Sequence, residues 1–330
     1  MKILVSIARI LVGFGLLLTG FFKANDPIGY GYKLEALCRI FEIPLFIPIT
    51  PYLAVIFSFV FLMLGLLILF GLRLKTALWT SLVIAALNTY ISYHLASSGQ
   101  MPWGPLFAEM FEFSPWQQFS AEISLFILLI ILLAGAKNIS PIVGPKLGNA
   151  VLITLLFVCL GIPVYTFRNL PLLDFSMYKS GCEINQTINE NIEKNKPSRI
   201  SKLTILDTEN KDIAKELFQN KSFHFLLISY DLKEANISNQ SRINDFAGLC
   251  EKDHVSFTGM TADGPQRIDE FRHEVQAAYP YCTADTSYLK TIIRSNPGLV
   301  LLEGSKIIAK WPHRDIPSYH LVKSQYFKKR

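Results

Sequence analysis

Ionised side chains are distributed very unevenly along this chain of 330 residues. Residues 1–167 contain nine Lys and Arg and six Asp and Glu, whereas residues 168–330 contain twenty-three and twenty. A charged side chain at the centre of a bilayer costs roughly 2.5–3.5 kcal/mol on insertion scales. The first half is therefore typical of a chain in lipid and the second half of a chain in water. The sequence predicts an integral membrane protein with a soluble C-terminal domain.

About 20 apolar residues cross the ~30 Å hydrocarbon core as a helix. Five stretches of roughly this length contain at most one charged residue each, and we expect them to be transmembrane helices: residues 3–22, 52–72, 76–96, 119–136 and 150–167. The first is interpreted as a retained helix, because no small-x-small cleavage site follows it. Helical spacing of apolar residues in 32–43 predicts an amphipathic helix at the membrane interface.

The short loops indicate the orientation, because Lys and Arg are in excess on the cytoplasmic side. Residues 97–118 contain none, whereas the loops after the second and fourth spans contain Arg73, Lys75, Lys137 and Lys146. This distribution places the N-terminus in the cytoplasm, and five crossings then place the C-terminal domain outside it. The loop of residues 23–51 counts against this orientation, since it contains three basic residues. Four crossings instead of five would reverse the side of the soluble domain.

The second half alternates strand-like and helix-like segments. Strands are predicted at residues 199–206, 223–229 and 255–261, and helices at 212–219, 241–252, 265–278 and 284–294. A hairpin of residues 299–302 and 306–311 follows. This order predicts a mixed sheet covered by helices.

The order of these elements, with Asn296-Pro297 just before the hairpin, resembles the thioredoxin fold over roughly residues 199–325. The resemblance implies that Pro297 is cis and faces the redox site, and Asp285 also matches a common pattern of that family. The site itself corresponds to Tyr230, Asp231 and Pro297. Thioredoxin chemistry needs a C-x-x-C at the turn after the central strand, where a helix N-terminus lowers the thiol pKa.

That turn, residues 230–236, reads Tyr-Asp-Leu-Lys-Glu-Ala-Asn and contains no thiol. Dithiol exchange by the usual chemistry is therefore excluded at this position. We expect a thioredoxin-like domain that is not an autonomous thiol oxidoreductase.

The first 140 residues are similar to the DoxX/MauE group of redox-associated bacterial membrane proteins, which are four-helix bundles. The similarity rests on Arg9 with Gly13, on residues 20–27, which read Gly-Phe-Phe-Lys-Ala-Asn-Asp-Pro, and on residues 114–119, which read Ser-Pro-Trp-Gln-Gln-Phe. Many relatives carry a cysteine motif in the third loop, but residues 101–107 contain no cysteine. The resemblance implies a bacterial inner-membrane location and a redox-associated role that involves a quinone or an envelope redox protein.

Five ionisable residues of the membrane half are candidate site residues: Arg9, Lys23, Asp26, His94 and Glu122. Each has a structural alternative. Arg9 either extends to the head groups or pairs inside the bundle with an acid or a quinone-like ligand. Lys23, Asp26 and His94 are also explained by an interfacial position. Glu122 is either a carboxylate at a helix N-terminus or an intramembrane acid that faces Lys23 or His94.

The five cysteines form no C-x-x-C pair, and the histidines show no metal-ligand spacing. We therefore predict no metal site. Cys182, Cys250 and Cys282 are candidate redox thiols under the predicted orientation, although buried single thiols are the commoner state. Neither half has the concentrated basic face that nucleic-acid binding requires.

The sequence thus predicts a multi-pass all-α membrane bundle, four DoxX-like helices and a fifth, followed by an α/β thioredoxin-like domain. The predicted domains are a four-helix membrane domain of residues 1–140, a fifth helix with a linker in residues 141–198, and a thioredoxin-like domain of residues 199–330. The leading functional hypothesis is a redox-associated protein that supports disulfide, electron or quinone traffic in contact with membrane lipid. The alternative is a membrane-anchored structural or binding module that recognises an envelope protein, and a weaker one is a subunit of a quinone-linked oxidoreductase.

Overall fold

The computed structural model describes residues 2–99, 114–184, 204–207, 209–219 and 222–327. It consists of two compact units, Met1–Leu173 and Asp174–Arg330. The described part of the first unit is helical, and its helices are α1 (Lys2–Asn25), α2 (Pro27–Ile40), α3 (Thr50–Phe70), α4 (Leu74–Ser98), α5 (Pro115–Ala134) and α6 (Pro145–Arg168). A short 3₁₀ segment, Pro44–Ile49, leads into α3.

Within the described residues, four helical segments are long and apolar enough to cross a membrane: Ile3–Asn25, Pro44–Phe70, Pro115–Ala134 and Leu147–Arg168. They coincide with four of the five predicted spans. The remaining predicted span, 76–96, lies on α4, which has 25 residues. Its length is sufficient, but Asn88, His94 and several Ser and Thr make it less apolar than the other four. The number of crossings, and the orientation that depends on it, stay predictions.

Helices α1 and α3 pack closely because glycines lie where their backbones meet. A Cβ atom on Gly65 would lie 2.6 Å from the backbone nitrogen of Leu17, and one on Gly20 would lie 2.4 Å from that of Leu62. Such small-residue contacts are typical of helix pairs in membranes. The contact sets the depth at which the end of α1 lies in the bundle.

Helix α2 begins five residues earlier than the amphipathic segment predicted from the sequence. Asp26 is its N-cap and accepts a hydrogen bond of 2.8 Å from the backbone N–H of Gly29, and Pro27 occupies the first turn. Both features favour a helix start. The earlier start adds Tyr30 to the helix, where it lines the cavity described below together with Lys33.

The second unit is built on a five-stranded sheet in the order β3-β2-β1-β4-β5. Strands β1, β2 and β3 are parallel, while β4 is antiparallel to both β1 and β5. In chain order the described elements are α7 (Ala214–Gln219), β1 (Phe223–Ile228), α8 (Gln240–Lys252), β2 (Ser256–Thr261), α9 (Pro265–Val275), β3 (Tyr281–Thr283), α10 (Thr286–Ile292), β4 (Gly298–Glu303), β5 (Lys306–Pro312) and α11 (Tyr319–Tyr326). The sequence pattern missed β3, which has only three residues.

The central strand β1 is covered on both faces, as its continuous apolar sequence predicts. Phe225, Leu226, Leu227 and Ile228 are each at most 1% exposed. The Asn296–Pro297 peptide bond that precedes β4 is cis, and Asp285 caps α10 by accepting from the N–H of Ser287. Strand order and the cis proline together make the unit thioredoxin-like. The predicted fold class, a helical membrane bundle followed by such a domain, is confirmed.

The soluble unit begins at Asp174, well before the predicted boundary at residue 199. Tyr178 is fully buried against Tyr288, with ring centroids 5.2 Å apart. The backbone N–H groups of Gly181 and Ile184 donate to the carbonyls of Ile307 and Ser305, over 2.7 and 2.9 Å. Residues 181–184 therefore pair with the outer edge of β5, whereas most of the predicted strand 199–206 lies outside the described residues.

Lys310 of β5 fixes this segment to the sheet. Its ammonium pairs with Asp174 and donates to the carbonyls of Tyr178 and Ile292, over 2.9 and 3.1 Å. Burial alone would raise the pKa of the Asp174 carboxyl, but the Lys310 charge and hydrogen bonds from Lys310 and Ser176 hold that pKa below its usual value. The start of the unit is thus held by a largely buried ion pair.

Candidate functional site

The membrane unit contains a cavity of about 200 Å³ at the end of the bundle where α1 and α4 finish and α3 and α5 begin. Its apolar walls include Phe22, Phe57 and Phe61. Its polar lining comes from four helices and comprises Lys23, Tyr30, Lys33, Asn88, Ser92, Gln118 and Glu122. A mostly apolar cavity with a few convergent polar groups is the usual form of a small-molecule site.

Two opposite charges lie buried in this cavity. Lys23 and Glu122 are only 6% and 4% exposed. The Lys23 ammonium lies 3.5 Å from the centroid of the Tyr30 ring and 5.0 Å from that of Phe61, which are cation–π distances. Among the described residues, Oε2 of Glu122 has no hydrogen-bond partner. A buried polar atom without a partner is uncommon in folded proteins and requires an explanation.

The segment Ser-Pro-Trp-Gln-Gln-Phe positions Glu122 by fixing the start of α5. Ser114 and Gln117 form a capping box, in which Ser114 Oγ accepts from the N–H of Gln117 at 3.3 Å and Gln117 Oε1 accepts from the N–H of Ser114 at 2.8 Å. Gln118 and Glu122 are four residues apart and share a helix face. Both consequently line the cavity.

Arg9 is not part of the cavity. Its guanidinium donates from Nε to the carbonyl of Ile68 at 3.0 Å, from Nη2 to that of Leu69 at 2.6 Å, and from Nη1 to that of Ser140 at 3.4 Å. Ile68 and Leu69 are in the last turn of α3, where carbonyls lack helical partners and a cation is favoured. Arg9 therefore closes the end of α3, while the head-group contact and the ligand pairing stay predictions.

The other two candidates also have local roles outside the cavity lining. Asp26 is the N-cap of α2. The ring of His94 packs against Phe41, with centroids 4.9 Å apart, and its Nδ1 is buried without a hydrogen-bond partner among the described residues. Of the five predicted residues, the structure brings only Lys23 and Glu122 into one cavity.

Several lining residues had no role in the sequence-based hypothesis: Tyr30, Lys33, Ser92 and Gln118. The pairs Asn88 and Ser92, and Gln118 and Glu122, are each four residues apart in otherwise apolar helices. This spacing was the available signal, because it puts both members of a pair on one helix face.

In the thioredoxin-like unit, the turn that would carry the thiols is hydrogen-bonded to the segment containing cis-Pro297. Asn296 Nδ2 donates to the carbonyl of Asp231 at 2.7 Å, and the N–H of Asn236 donates to the carbonyl of Asn296 at 3.0 Å. Leu232 is buried, and its N–H donates to Asp263 at 2.8 Å. The predicted position of Tyr230, Asp231 and Pro297 is therefore a closed, thiol-free turn.

The three candidate redox thiols are all free and separate. Cys182 lies beside β5 and Cys282 is in β3, at opposite edges of the sheet and therefore roughly 20 Å apart. A disulfide needs Cα atoms within about 7 Å. Burial raises the pKa of Cys250 to about 12, with Asp253 adding to it, and burial raises that of Cys282 to about 11, with Asp207 adding to it. Both are thiols at neutral pH, so neither is an activated nucleophile.

Within the described residues no cluster of His, Cys, Asp and Glu could hold a metal ion. The cavity around Lys23 and Glu122 is therefore the candidate functional site, and its chemistry is that of hydrogen bonding and charge.

No family model matches the chain, and no curated protein matches it in sequence. Among solved structures it is similar to a candidate protein disulfide isomerase from Bacteroides thetaiotaomicron, with 17% identity over 40% of this chain and 90% of that one and a TM-score of 0.30. It is also similar to an uncharacterized conserved protein from Geobacillus kaustophilus (13% identity, 43% and 76% covered, TM-score 0.29) and to StoA from Bacillus subtilis (14%, 38% and 98%, 0.29). The thioredoxin-like fold follows from the unit's own strand order and cis-Pro297.

Proposed function

We propose that this chain is a redox-associated integral membrane protein of the DoxX/MauE type. Its membrane unit holds the ring of a membrane-soluble quinone in the cavity, and its thioredoxin-like domain binds a partner without thiol chemistry. The observation that carries the proposal is the buried carboxylate of Glu122, which lines the cavity beside Lys23 and has an oxygen without a partner among the described residues.

The cavity fits a substituted single ring. A protein cavity of about 150 Å³ accepts benzene, and this one measures about 200 Å³. The rings of Phe57 and Phe61 supply apolar walls, while the Lys23 ammonium and the Tyr30 hydroxyl are donors for ring oxygens. A bound quinone would supply two-electron carriage within the membrane, and these residues would bind and orient it.

The proposed location is a bacterial inner membrane, with the N-terminus in the cytoplasm and the C-terminal domain outside it. In that orientation α1 ends at the extracytoplasmic side, so the cavity is at that side as well. A reporter fusion at the C-terminus tests this orientation. Activity of a cytoplasm-specific reporter would contradict it.

The proposed role of the soluble domain is recognition, with an envelope redox protein as the partner. This proposal is supported by the closed turn at Asp231 and by the raised thiol pKa values of Cys250 and Cys282. The same observations favour a second candidate function, a membrane-anchored structural module that recognises an envelope protein unrelated to redox chemistry.

Ligand binding by the membrane unit is tested with the full-length protein in lipid nanodiscs and a radiolabelled decyl-substituted benzoquinone. We expect saturable binding of one equivalent. Ser92→Phe should abolish it, because Ser92 is 3% exposed and lines the cavity. Ser97→Phe is the matched control, since Ser97 is exposed on the same helix. If neither the benzoquinone nor its reduced form binds, the proposed quinone role is wrong.

The two functions of the soluble domain are separated by crosslinking in cells. Full-length protein carrying a photoreactive residue at Lys233, in the closed turn, is crosslinked and its partners are identified. Thiol oxidoreductases among the products support the redox-associated role. Products that are only envelope proteins without thiol chemistry support the structural module.

A further inference from the structure

The carboxyl group of Glu122, a residue that lines the cavity, has one oxygen without a hydrogen-bond partner among the described residues, and this restricts which ligand it accepts. Oε2 of Glu122 is buried, and no described residue donates a hydrogen bond to it. An ionised carboxylate only accepts hydrogen bonds, while a protonated one both donates and accepts. A ligand that forms a hydrogen bond with this oxygen in either protonation state of Glu122 has to carry a group that both donates and accepts.

A ring hydroxyl meets this requirement, whereas a ring carbonyl does not. The hydroxyl donates to the carboxylate form of Glu122 and accepts from the protonated form. A quinone carbonyl only accepts, so it forms no hydrogen bond with the carboxylate form of Glu122. Lys23 does not discriminate between the two, because its ammonium donates equally well to a carbonyl and to a hydroxyl oxygen.

We infer that the cavity is selective for the hydroxyl-bearing form of its ring ligand, a phenol or a hydroquinone, and that Glu122 is the residue that determines this selectivity. The inference rests on the proposed function and adds the redox state of the bound ring. The burial of Glu122 supports it, because the residue is only 4% exposed and its carboxyl is largely withdrawn from bulk water.

The preference comes from the carboxylate form of Glu122, and its size follows from one hydrogen bond to that charged acceptor. Such bonds contribute about 1.5–3 kcal/mol when the acceptor is otherwise unsatisfied, which corresponds to roughly ten- to hundredfold in the dissociation constant. We therefore expect the hydroquinone to bind at least about tenfold more tightly than the quinone of the same substitution.

The test uses two pairs of probes with the full-length protein in nanodiscs. The first pair is the decyl-substituted benzoquinone and its hydroquinone, measured without oxygen by equilibrium dialysis. The second pair is 4-hexylphenol and 4-hexylanisole, in which a methyl group replaces the donor hydrogen and neither member is a quinone. The dissociation constant of the hydroxyl member of each pair should be at least about tenfold lower than that of the other member.

Glu122→Gln provides the residue-level test. The amide retains the size of the carboxyl but adds a donor, so it should remove the preference or turn it toward the quinone and the methyl ether. Glu42→Gln, an exposed change at the end of α2, should preserve the wild-type ratio. If Glu122→Gln does not fold, the wild-type ratios decide alone.

Equal affinity for both members of each pair would overturn the selectivity while leaving the proposed quinone role in place. A preference that persists unchanged in folded Glu122→Gln would also overturn it, because another residue would then be responsible. Absence of binding by all four probes would instead contradict the proposed function itself.

Discussion

His224 should make the soluble unit lose stability below neutral pH. It lies near the start of the central strand β1, between Ser256 of β2 and Leu302 of β4. Burial lowers the pKa of His224 from 6.5 to about 4. Its Nε2 has no hydrogen-bond partner among the described residues. Glu216 lines the same small cleft, but its carboxylate is well exposed and pairs with Lys211.

The sign and size of the effect follow from linkage. Between the two pKa values the unfolded chain binds a proton that the folded chain excludes, so the folded state is fully favoured above about pH 6.5 and loses this advantage toward pH 4. The complete difference corresponds to about 3 kcal/mol, of which about 2 kcal/mol should be lost between pH 7 and pH 4.5. His224→Leu removes the titrating group. Between pH 7 and pH 4.5 the unfolding free energy of this variant should therefore fall by about 2 kcal/mol less than that of the parent protein.

The assay is urea unfolding of the full-length protein in detergent, followed by the fluorescence of Trp311. This residue is the one tryptophan left in the protein once Trp79, Trp103 and Trp116 are changed to Phe. His273→Leu, at an exposed position of α9, controls for the loss of a histidine. The reasoning is refuted if His224→Leu and His273→Leu show the same pH dependence as the parent protein.

Three further substitutions test the fold. Lys310→Met should lower the unfolding free energy of the soluble unit by about 2–4 kcal/mol in the same assay, because Asp174 and two carbonyls lose their partner; exposed Lys306→Met should have little effect. The Asp174 contribution should be complete above roughly pH 4 and lost as the pH falls through its lowered folded pKa. Gly65→Ala should destabilise the membrane unit by about 1–3 kcal/mol in thermal unfolding, whereas Gly15→Ala, with nothing within 4 Å of the new atom, should not. Arg9→Met should lower the thermal stability of the same unit, because three carbonyl hydrogen bonds are lost; a result no different from that of exposed Lys75→Met would contradict this role.

The fold could be predicted from the sequence wherever the composition of a whole segment suits a single environment, either lipid or a buried apolar core. Scarcity of charge identified four apolar spans, and the buried run of β1 identified the centre of the sheet. The start of the soluble unit could not be found in this way, because residues 174–184 are held by backbone pairing with Ile307 and by the buried Lys310 ammonium. Such contacts depend on a distant strand, and nothing in the local pattern of residues 174–184 reports them.

The same distinction explains why the cavity was only half predicted. Lys23 and Glu122 are conspicuous in the sequence because a charge in an apolar helix is rare, but that rarity also selected Arg9, Asp26 and His94, which have local structural roles. What separates the two groups is helix packing: the close contact of α1 with α3 at Gly20 and the capping box at Ser114 bring two helix ends to one depth. A single buried charge is therefore evidence of constraint, and only its convergence with an unpartnered group of another helix is evidence of a site. If double substitution of Lys23 by Met and Glu122 by Gln yielded a protein that binds the ring probes as wild type does, this convergence would have no functional meaning.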